Sequence, residues 1–524
     1  MEHRNRDIAI TLMFAVLFLG SVFIVLPSQY DLSETYRKYF TIIFGLIFVV
    51  VYAELPDWKR HTDGIFKTIC LTGILESVYA LAQFFKVIPT YNRYYSYTGS
   101  FENPAVFAML LAVCAPIAVY YALQHKRGYI MWWLAALFYF VFICFSESRA
   151  SLLATTVSVL VILYDNKRIR NVLLSRKVLV VSIPLILLLL YLIYRFKANS
   201  ANGRLLIWRV SFDMFKEKLL FGFGPGGFLA HYMDYQANYL SDHPDSPFLL
   251  LADNVNNPFN EYILVLVNYG IVGFCCLMAS IVAVFKRLLL LDEEKRIILS
   301  SCTVVLLVVS FFSYPFSNPF VWVVSTVIIM IVLFESTGKK SGLLAIPISV
   351  CSVTGIIISV LSFLPEREWQ VISQRSLMGE TETVLPDFRR LHERMKNNGS
   401  FLYNFGAELH YSGYFEESLQ ILEECSSYLN DYDVQMLLAD CHQNLGDTLT
   451  AIDCYNYASR MVPSKFLPQY QIMNLYLAYG DTVNAVNAAN AILAKDVKVS
   501  RSKAVQRIIN EAESLVKDVM FHSR

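Results

Sequence analysis

The fold is decided by the stretch NNPFNEYI at residues 256–263, where a polar segment runs directly into a long apolar one. That polar segment begins near Asn199 and contains NGRLLIW at residues 202–208 and GFGPGG at residues 222–227. Before it the chain consists mostly of apolar runs, and after Pro365 its composition is typical of a soluble domain. We therefore expect residues 195–260 to form a large loop that covers a site at a membrane surface.

Long apolar runs make up much of the remaining sequence. Of the 524 residues, 56% are hydrophobic, which is typical of an integral membrane protein. The formal net charge is +1, and the sequence contains no basic patch with interleaved aromatic residues that would indicate nucleic-acid binding. Eleven windows are long enough to span a bilayer, namely 8–26, 39–54, 65–87, 104–123, 129–145, 150–164, 178–194, 261–285, 297–314, 318–335 and 343–364.

The basic residues are divided unequally among the loops between these windows. With the N-terminus in the cytoplasm, the short inner loops carry about 17 Lys and Arg residues and the short outer loops about 5. The first window could be a signal peptide, but no small-residue cleavage pattern follows it, so we interpret it as a span. An odd number of spans then predicts that the large loop and the C-terminal domain lie outside the cytoplasm.

The C-terminal part repeats at a regular interval. Gly413-Tyr414, Gly446-Asp447 and Gly480-Asp481 recur at spacings of 33 and 34 residues, each within a helical pattern. This resembles three tetratricopeptide repeats over about 398–495 with a capping helix at about 501–519, and a generic array of helical hairpins is the alternative. We therefore predict an all-α protein: a polytopic membrane helix bundle (1–364), a linker (365–397) and an α-solenoid domain (398–524).

Two arginines are the leading candidates for chemistry. Arg149 lies in SESRA, residues 146–150, between two spans with almost no loop, so it either snorkels to the interface or clamps an anion. Arg204 precedes a segment whose apolar residues recur at helical spacing, and we expect it at the helix start, where backbone amides favour an anion. That helix is expected to lie in the plane of the membrane interface.

Two other polar residues, Glu76 and His231, each allow a functional and a structural interpretation. Glu76 within the third span is either a functional carboxylate or a hydrogen-bonded structural group. His231 in the large loop is a possible base, although a lone loop histidine is often only solvated. The glycine cluster at 222–227 is interpreted as a turn, because no strand precedes it and no Gly-Lys-Ser/Thr follows. The ten cysteines show no metal-binding spacing, so no metal site is predicted.

The motifs follow one another in a recognisable order. They are GSFENP (99–104), Ser148-Arg149-Ala150, Gly203-Arg204 with Trp208, the glycine cluster, and NEY (260–262) with YGIVG (269–273). In this ordered set, residues 8–335 resemble the O-antigen ligase and polymerase superfamily. The resemblance implies transfer of a glycan from an undecaprenyl diphosphate carrier to an acceptor hydroxyl, without a metal, nucleotide or other cofactor. It places the protein in the bacterial cytoplasmic (inner) membrane, with the large loop and the repeats on the periplasmic side.

The same resemblance implies roles for particular residues. Ligases of the family commonly carry His-Asn where this chain has Phe259-Asn260, so the candidate bases are Glu261, Asn260 and His231. The implied catalytic residues are Arg149, Arg204, Asn260, Glu261 and His231. The implied donor- or substrate-binding residues are Glu76, Asn103, Ser148, Trp208 and Tyr262.

The acceptor is left open by the sequence. Lipid A-core, a protein hydroxyl and another glycan are all compatible, so a protein O-oligosaccharyltransferase or a glycan polymerase is an alternative to a ligase of lipopolysaccharide biosynthesis. The repeats favour a protein partner, and the spans imply contact with membrane lipids. A flippase for lipid-linked glycans and a non-catalytic membrane scaffold are more distant alternatives, since a flippase would show charges along many spans and inverted repeats.

Overall fold

The structure is a computed structural model that describes most of the chain. The regular elements in the described ranges are all helices, with no strand among them, so the predicted all-α class is confirmed. The described ranges are 2–25, 30–53, 62–90, 92, 94–124, 128–165, 170–171, 175, 198–337, 342–498 and 502–522.

The helices are numbered here in chain order. The first twelve are α1 (Glu2–Phe23), α2 (Tyr30–Ala53), α3 (Thr62–Phe84), α4 (Pro104–Leu123), α5 (Tyr129–Phe145), α6 (Arg149–Asp165), α7 (Ala198–Glu217), α8 (Gly227–Asp242), α9 (Glu261–Leu288), α10 (Glu293–Phe312), α11 (Pro319–Thr337) and α12 (Gly342–Arg375). The remaining eight are α13 (Thr381–Met395), α14 (Gly399–Tyr411), α15 (Phe415–Ser426), α16 (Tyr432–Asn444), α17 (Thr448–Met461), α18 (Leu467–Ala478), α19 (Thr482–Leu493) and α20 (Lys503–His522).

Many of these helices suit a bilayer, which makes this a multi-pass membrane protein. Within the described ranges, six are long and apolar enough to cross it: Leu32–Ala53, Thr62–Phe84, Pro104–Leu123, Glu261–Leu288, Glu293–Phe312 and Ala345–Met395. Three shorter apolar helices are Ile8–Phe23, Tyr129–Phe145 and Pro319–Glu335. The predicted window 150–164 is helical in α6, whereas 178–194 lies outside the described residues. The predicted total of eleven spans is therefore not confirmed.

The chain divides into two compact units. The first comprises Met1–Ile193, Phe259–Glu261 and Cys276–Gln370, and the second comprises Tyr194–Pro258, Tyr262–Cys275 and Val371–Arg524. The two long helices α9 and α12 each contribute residues to both units.

Helix α4 is at the centre of the first unit. It packs against α3, α5, α6 and α10, and nearly every side chain from Phe107 to Ala122 is buried. A helix that is apolar on all sides must be enclosed by others, which explains why α4 is central. Its start is fixed by Asn103, whose Oδ1 accepts a hydrogen bond from the amide of Ala105 at 2.8 Å, and by Pro104 in the first helical position.

The second unit combines part of the large loop with the C-terminal helices. Helices α14 and α15, α16 and α17, and α18 and α19 pack as consecutive pairs. Gly413, Gly446 and Gly480 end the first helix of each pair with φ between 75° and 83°. In each case the amide of the next residue donates back to the helix, as Asp447 does to the carbonyl of His442 at 2.9 Å. The recurring glycines are therefore required by the left-handed backbone at these helix ends.

Residues 365–397, the predicted linker between the two domains, are mostly helical. Helix α12 continues to Arg375, a single π turn covers Ser376–Glu380, and α13 follows. The reason is an apolar stripe on α13 that buries Val384, Phe388 and Leu391 in the second unit.

Candidate functional site

The glycine cluster binds a broken helix in the second unit. Gly270 lies inside α9 with φ at +63°, which interrupts the regular helix. The carbonyls of Val267 and Asn268 precede this break and accept hydrogen bonds from the amides of Phe223 and Gly224, at 2.9 and 2.8 Å. The loop thus satisfies the backbone groups at the C-terminal end of the first helical segment.

The other side of the break is satisfied by the same loop. The amide of Ile271 donates to the carbonyl of Leu219 at 2.8 Å, and the amide of Val272 donates to that of Leu220 at 3.2 Å. Broken helices are tolerated at membrane depth only where their backbone groups find partners in the protein. These four hydrogen bonds therefore hold the loop and the broken helix together.

Two of the glycines are required by close contact. A Cβ at Gly222 would lie 2.4 Å from the carbonyl oxygen of Val267, and a Cβ at Gly270 would lie 2.3 Å from that of Leu220. Both residues also have positive φ. The turn predicted for the cluster at 222–227 is confirmed, and its partner is the YGIVG motif.

Helix α8, which carries His231, is held in place by α9 at its start and by the C-terminal helices on another face. It begins after Gly226 without a side-chain cap of its own. The side chain of Asn268, only 7% exposed, accepts a hydrogen bond from the amide of Phe228 at 2.9 Å and takes that role. The start of α8 is therefore tied to the broken helix α9.

The opposite face of α8 is held by the C-terminal helices. Gln236 is fully buried, and its Nε2 donates to the carbonyls of Met461 at 2.8 Å and Asp253 at 3.1 Å. Its Oε1 accepts a hydrogen bond from the hydroxyl of Tyr232 at 3.0 Å. Every polar atom of this amide group is thus engaged, which fixes α8 against α17.

Asp234, one turn after His231, adds a second polar contact. Its Oδ1 accepts hydrogen bonds from the Nδ2 of Asn430 at 2.7 Å and from the hydroxyl of Tyr457 at 2.5 Å. Burial raises the pKa of this carboxyl, while the hydrogen bond from Tyr457 and the nearby His231 act in the opposite direction. The imidazole of His231 itself packs 5.2 Å from the ring of Phe223.

The end of the large loop lies on the first helix of the second pair. The Nδ2 of Asn254 donates to the carboxylates of Asp431 and Asp433, both at 3.0 Å. Nearby, the ammonium group of Lys498 lies 3.1 Å from the carboxylate of Asp253. The C-terminal helices therefore hold the end of the large loop within this unit.

Helix α7 corrects one prediction about Arg204. The helix begins by Ala198, so Arg204 lies in its second turn and not at its start, because the polar residues 198–203 are themselves helical. The first position of a helix is occupied instead by Arg149, in α6. Trp208 donates its indole N–H to the carbonyl of Pro258 at 2.9 Å. This bond joins the helix of Arg204 to the segment just before Asn260.

The apolar stripe predicted on α7, which includes Leu205 and Phe212, is not the buried face of the helix. Leu206, Val210 and Met214 are buried in the second unit, whereas Leu205 and Phe212 are each about half exposed, at 49% and 50%. An exposed stripe of this kind is compatible with the predicted position in a membrane interface.

In the first unit, Arg149 follows a tight turn between α5 and α6. The amide of Ser148 donates to the hydroxyl oxygen of Ser146 at 3.2 Å, and its own hydroxyl donates to that of Ser151 at 2.9 Å. Glu147 has φ at +56°, a left-handed conformation that is costly for a residue with a side chain. Arg149 is half-buried at this turn.

The Phe259–Glu261 segment contacts the loop between α10 and α11, also in the first unit. Phe259 has φ at +52°, and its ring lies 5.5 Å from that of Tyr314 in an edge-to-face arrangement. Asn260 is 3% exposed. The Oε1 of Glu261 accepts a hydrogen bond from the amide of Phe316 at 3.2 Å. Strained backbone conformations cluster at functional sites, and here one occurs beside two of the predicted catalytic residues.

Glu76 is fully buried, with a clear structural partner. Its Oε1 accepts hydrogen bonds from the amide and the hydroxyl of Ser100, at 2.6 and 2.8 Å. The carbonyl of Ser100 accepts in turn from Arg37, whose side chain is 1% exposed and pairs with Glu34 at 2.9 Å. A Cβ at Gly99 would lie 2.3 Å from the same carboxylate. The GSFENP motif is therefore folded over α3 by Glu76.

The predicted residues are divided between the two units. Glu76, Asn103, Ser148, Arg149, Asn260 and Glu261 belong to the first, and Arg204, Trp208, His231 and Tyr262 to the second. The structure brings Asn260 and Glu261 together at the Tyr314 loop and ties Trp208 to Pro258. The convergence of Arg149 and Arg204 on one ligand stays a prediction.

Sequence reasoning did not single out several residues that organise the site. Asn268, Gln236 and Arg37 are polar residues in apolar or amphipathic segments, and only Asn268 adjoins a recognised motif, YGIVG. Tyr314 follows an apolar run and has no motif to identify it. Within the described part of the chain, no three His, Cys, Asp or Glu side chains gather in a way that could hold a metal ion.

The comparison with known families concerns this same region. A family model described as O-antigen ligase matches residues 134–278, which include Arg149, Arg204, His231 and Glu261. No curated protein matches the chain. The match supports the O-antigen ligase superfamily, and with it a general activity in lipid-linked glycan transfer. Residues 134–278 of this membrane protein are thus similar to the O-antigen ligase domain.

Proposed function

We propose that this protein transfers a glycan from undecaprenyl diphosphate to an acceptor hydroxyl at the outer face of the bacterial cytoplasmic membrane. The observation that carries the proposal is the family match over 134–278, because it includes all five predicted catalytic residues. The apolar helices on both sides of this region suit a lipid-linked donor. The basic residues of the short loops support a periplasmic position for the large loop and the repeats.

The reaction needs charge stabilisation more than any other aid. The acceptor oxygen forms a bond to the anomeric carbon, the bond from that carbon to the diphosphate breaks, and undecaprenyl diphosphate leaves. Negative charge therefore grows on the diphosphate in the transition state. The guanidinium groups of Arg149 and Arg204 present planar forks of donors that match phosphate oxygens, and we assign them to this charge.

The acceptor proton needs a base. Glu261 is our first candidate, because a carboxylate accepts a proton and the amide of Phe316 holds its Oε1 in place. His231 is the second, on the helix that Asn268 and Gln236 orient. An amide such as that of Asn260 binds a hydroxyl but does not accept its proton at neutral pH. We assign Asn260 to substrate binding.

The remaining predicted residues are divided by their contacts. Asn103 caps α4 and Trp208 bonds to Pro258, so we propose that both hold the backbone beside the substrate. Glu76 supports the GSFENP loop through Ser100. Ser148 and Tyr262, which are half-buried, stay candidates for contact with the donor or acceptor.

We further propose that the C-terminal helix pairs are tetratricopeptide-like repeats. Their glycine-terminated helices and 33- to 34-residue spacing support this class. Because the repeats hold α8 and the end of the large loop, we assign them a part in positioning the loop as well as any partner binding. The acceptor is lipid A-core, a protein hydroxyl or another glycan.

The test is transfer by purified full-length protein in proteoliposomes. Lipid-linked glycan is offered with each of the three acceptor classes, and the glycosylated product is measured by mass spectrometry. Glu261→Gln keeps an oxygen for the amide of Phe316 but cannot take a proton, so we expect its rate to fall by about 10²- to 10⁴-fold. Asp242→Asn, at an exposed carboxyl that ends α8, is the matched control and should transfer normally.

Two results would reject the proposal. One is movement of the donor across the bilayer without transfer to any acceptor, which would favour a flippase. The other is an absence of both activities, which would favour a scaffold.

A further inference from the structure

A narrow apolar groove runs between three helices of the first unit. It is lined by α1, α2 and α11 and has a volume of about 180 Å³. The lining includes Leu17, Phe48, Val49 and Val327, and none of its side chains is charged. Drug-sized ligands occupy pockets of about 300–1,000 Å³, so this groove suits a slender chain and excludes a glycan.

Gly45 creates the open space in this groove. A Cβ built on it meets nothing within 4 Å, whereas its neighbours along the same face of α2, Thr41 and Val49, are both buried. The space is therefore a consequence of one missing side chain. In lipid, where apolar side chains gain little by leaving the bilayer, a binding groove selects its ligand by shape.

The groove has a polar end. The rings of Tyr52 and Phe334 lie 6.3 Å apart, so the C-terminal ends of α2 and α11 meet. Thr41 and Trp322 consequently line the groove toward the opposite, N-terminal ends of these helices. The hydroxyl of Thr41 is buried and has no hydrogen-bond partner among the described residues. The lining thus carries an unsatisfied hydroxyl toward the N-terminal ends of α2 and α11, and beyond this end its one other hydroxyl is that of Thr326.

The polar end is linked to a predicted catalytic residue. The indole N–H of Trp322 donates to the carbonyl of Phe316 at 2.7 Å, and the amide of Phe316 donates to Glu261 at 3.2 Å. A single residue of the α10–α11 loop therefore connects the wall of the groove to the carboxylate of Glu261.

We propose that this α1–α2–α11 groove binds the part of the donor's isoprenoid chain that lies next to the diphosphate. The inference rests on the proposed function for the identity of the ligand, and on the groove itself for its shape and place. An isoprenoid chain matches the slender apolar lining, and its diphosphate end would lie at the end with Thr41 and Trp322. That arrangement delivers the diphosphate to the side of the bundle where Glu261 is bonded.

The test compares donors that carry the same glycan diphosphate on a full-length isoprenoid or on a methyl group that cannot reach the groove. Gly45→Phe fills the groove, and Ile47→Phe adds an aromatic ring to an exposed part of α2 outside the lining. For Gly45→Phe we expect the KM of the long-chain donor to rise about tenfold, the loss expected when about two buried methylene groups lose their contacts. Transfer from the methyl donor by Gly45→Phe, and transfer from either donor by Ile47→Phe, should be unaffected. Equal losses for both donors, or no loss for the long-chain donor, would overturn the proposal.

Direct labelling separates this inference from the proposed function. A photoreactive polyprenyl phosphate is bound to the unmodified full-length protein in vesicles, and the labelled peptides are identified. We expect label on α2 and α11, reduced by excess polyprenyl phosphate and absent from Gly45→Leu. This result would support the groove even if no acceptor were glycosylated. Label confined to other helices, or labelling by a photoreactive phosphatidylethanolamine that polyprenyl phosphate does not displace, would overturn it.

Discussion

Replacing Gly222 with alanine tests the junction between the glycine cluster and the broken helix. Gly222 has φ at +67°, and a Cβ there would lie 2.4 Å from the carbonyl oxygen of Val267. The left-handed conformation alone costs a residue with a side chain about 1–2 kcal/mol. The close approach must also displace the loop, which weakens the two hydrogen bonds that Phe223 and Gly224 donate, each worth about 0.5–1.5 kcal/mol. We therefore expect Gly222→Ala to lower the free energy of unfolding by about 2–5 kcal/mol.

Gly224 provides the matched control for this change. Its φ is +89°, but a Cβ there meets nothing within 4 Å. Gly224→Ala should therefore lower the free energy of unfolding only by the cost of the left-handed backbone, about 1–2 kcal/mol. Gly203→Ala, in α7 and in open space, should be neutral or slightly stabilising, since alanine favours helices by up to about 1 kcal/mol over glycine.

The assay is thermal unfolding of the purified protein in detergent, with transfer measured on the same samples. The Tm should be highest for Gly203→Ala, lower for Gly224→Ala and lowest for Gly222→Ala, and the transfer rates should show the same order. Equal losses for Gly222→Ala and Gly224→Ala would refute the reasoning, because the contact with Val267 would then contribute nothing.

Four further predictions concern the charges and the repeats. Arg149→Lys and Arg204→Lys should each lower the transfer rate about 10- to 150-fold at matched protein levels, because lysine keeps the charge but loses the forked hydrogen bonding worth about 1.5–3 kcal/mol. The double variant should lose less rate than the product of the two single losses. Near-normal transfer by both single variants would reject the binding of one diphosphate by both arginines. Gln236→Leu should lower the stability of the second unit by about 1–3 kcal/mol, because it leaves the carbonyl of Met461 without a hydrogen-bond donor. Residues 243–258 should then be cut faster by proteases. Unchanged proteolysis would contradict the proposal that the C-terminal helices hold the large loop. The raised pKa of Asp234 means that the folded protein holds its proton more tightly than the unfolded chain, so stability falls as pH rises from the ordinary Asp range through that raised pKa. Asp234→Asn keeps both hydrogen bonds and should show a smaller fall in Tm between acidic and neutral pH, because the raised pKa values of Asp433 and Asp440 contribute to the fall in both proteins. Identical profiles would exclude the Asp234 carboxyl as a contributor. A reporter fused after Arg524 should be active only outside the cytoplasm, and cytoplasmic activity would reverse the predicted topology.

Much of the helix content followed from the length of continuous apolar runs, since windows such as 104–123 coincide with α4. Two of the three recurring pairs are Gly-Asp, and both residues of each pair mark helix ends because they act locally. Gly446 takes the left-handed position after α16, and the side chain of Asp447 caps α17 through the amide of Thr450. Local rules failed at residues 198–203, where a polar stretch is helical ahead of the packed turns of α7.

The residues proposed for chemistry show the same division. Arg149 and Glu76 were identifiable because charged residues in or near apolar spans are costly and therefore informative. Arg204 was identified by its place before an amphipathic segment, and Glu261 by the resemblance of its motif. Gln236 and Asn268 were not, because each is significant only through a carbonyl or an amide supplied by a distant segment.

The sequence by itself determined the all-α class, the alternation of apolar and polar segments, the glycine-terminated helices and the candidates for anion binding. These properties depend on side-chain chemistry and on neighbours within a few residues. Only the tertiary structure decided that the glycine cluster binds the break in α9, that the repeats hold α8, and that Glu261 is joined to the groove beside Gly45. Such pairings depend on backbone groups and on empty space, which no residue type encodes, and they exist only once distant segments are packed together.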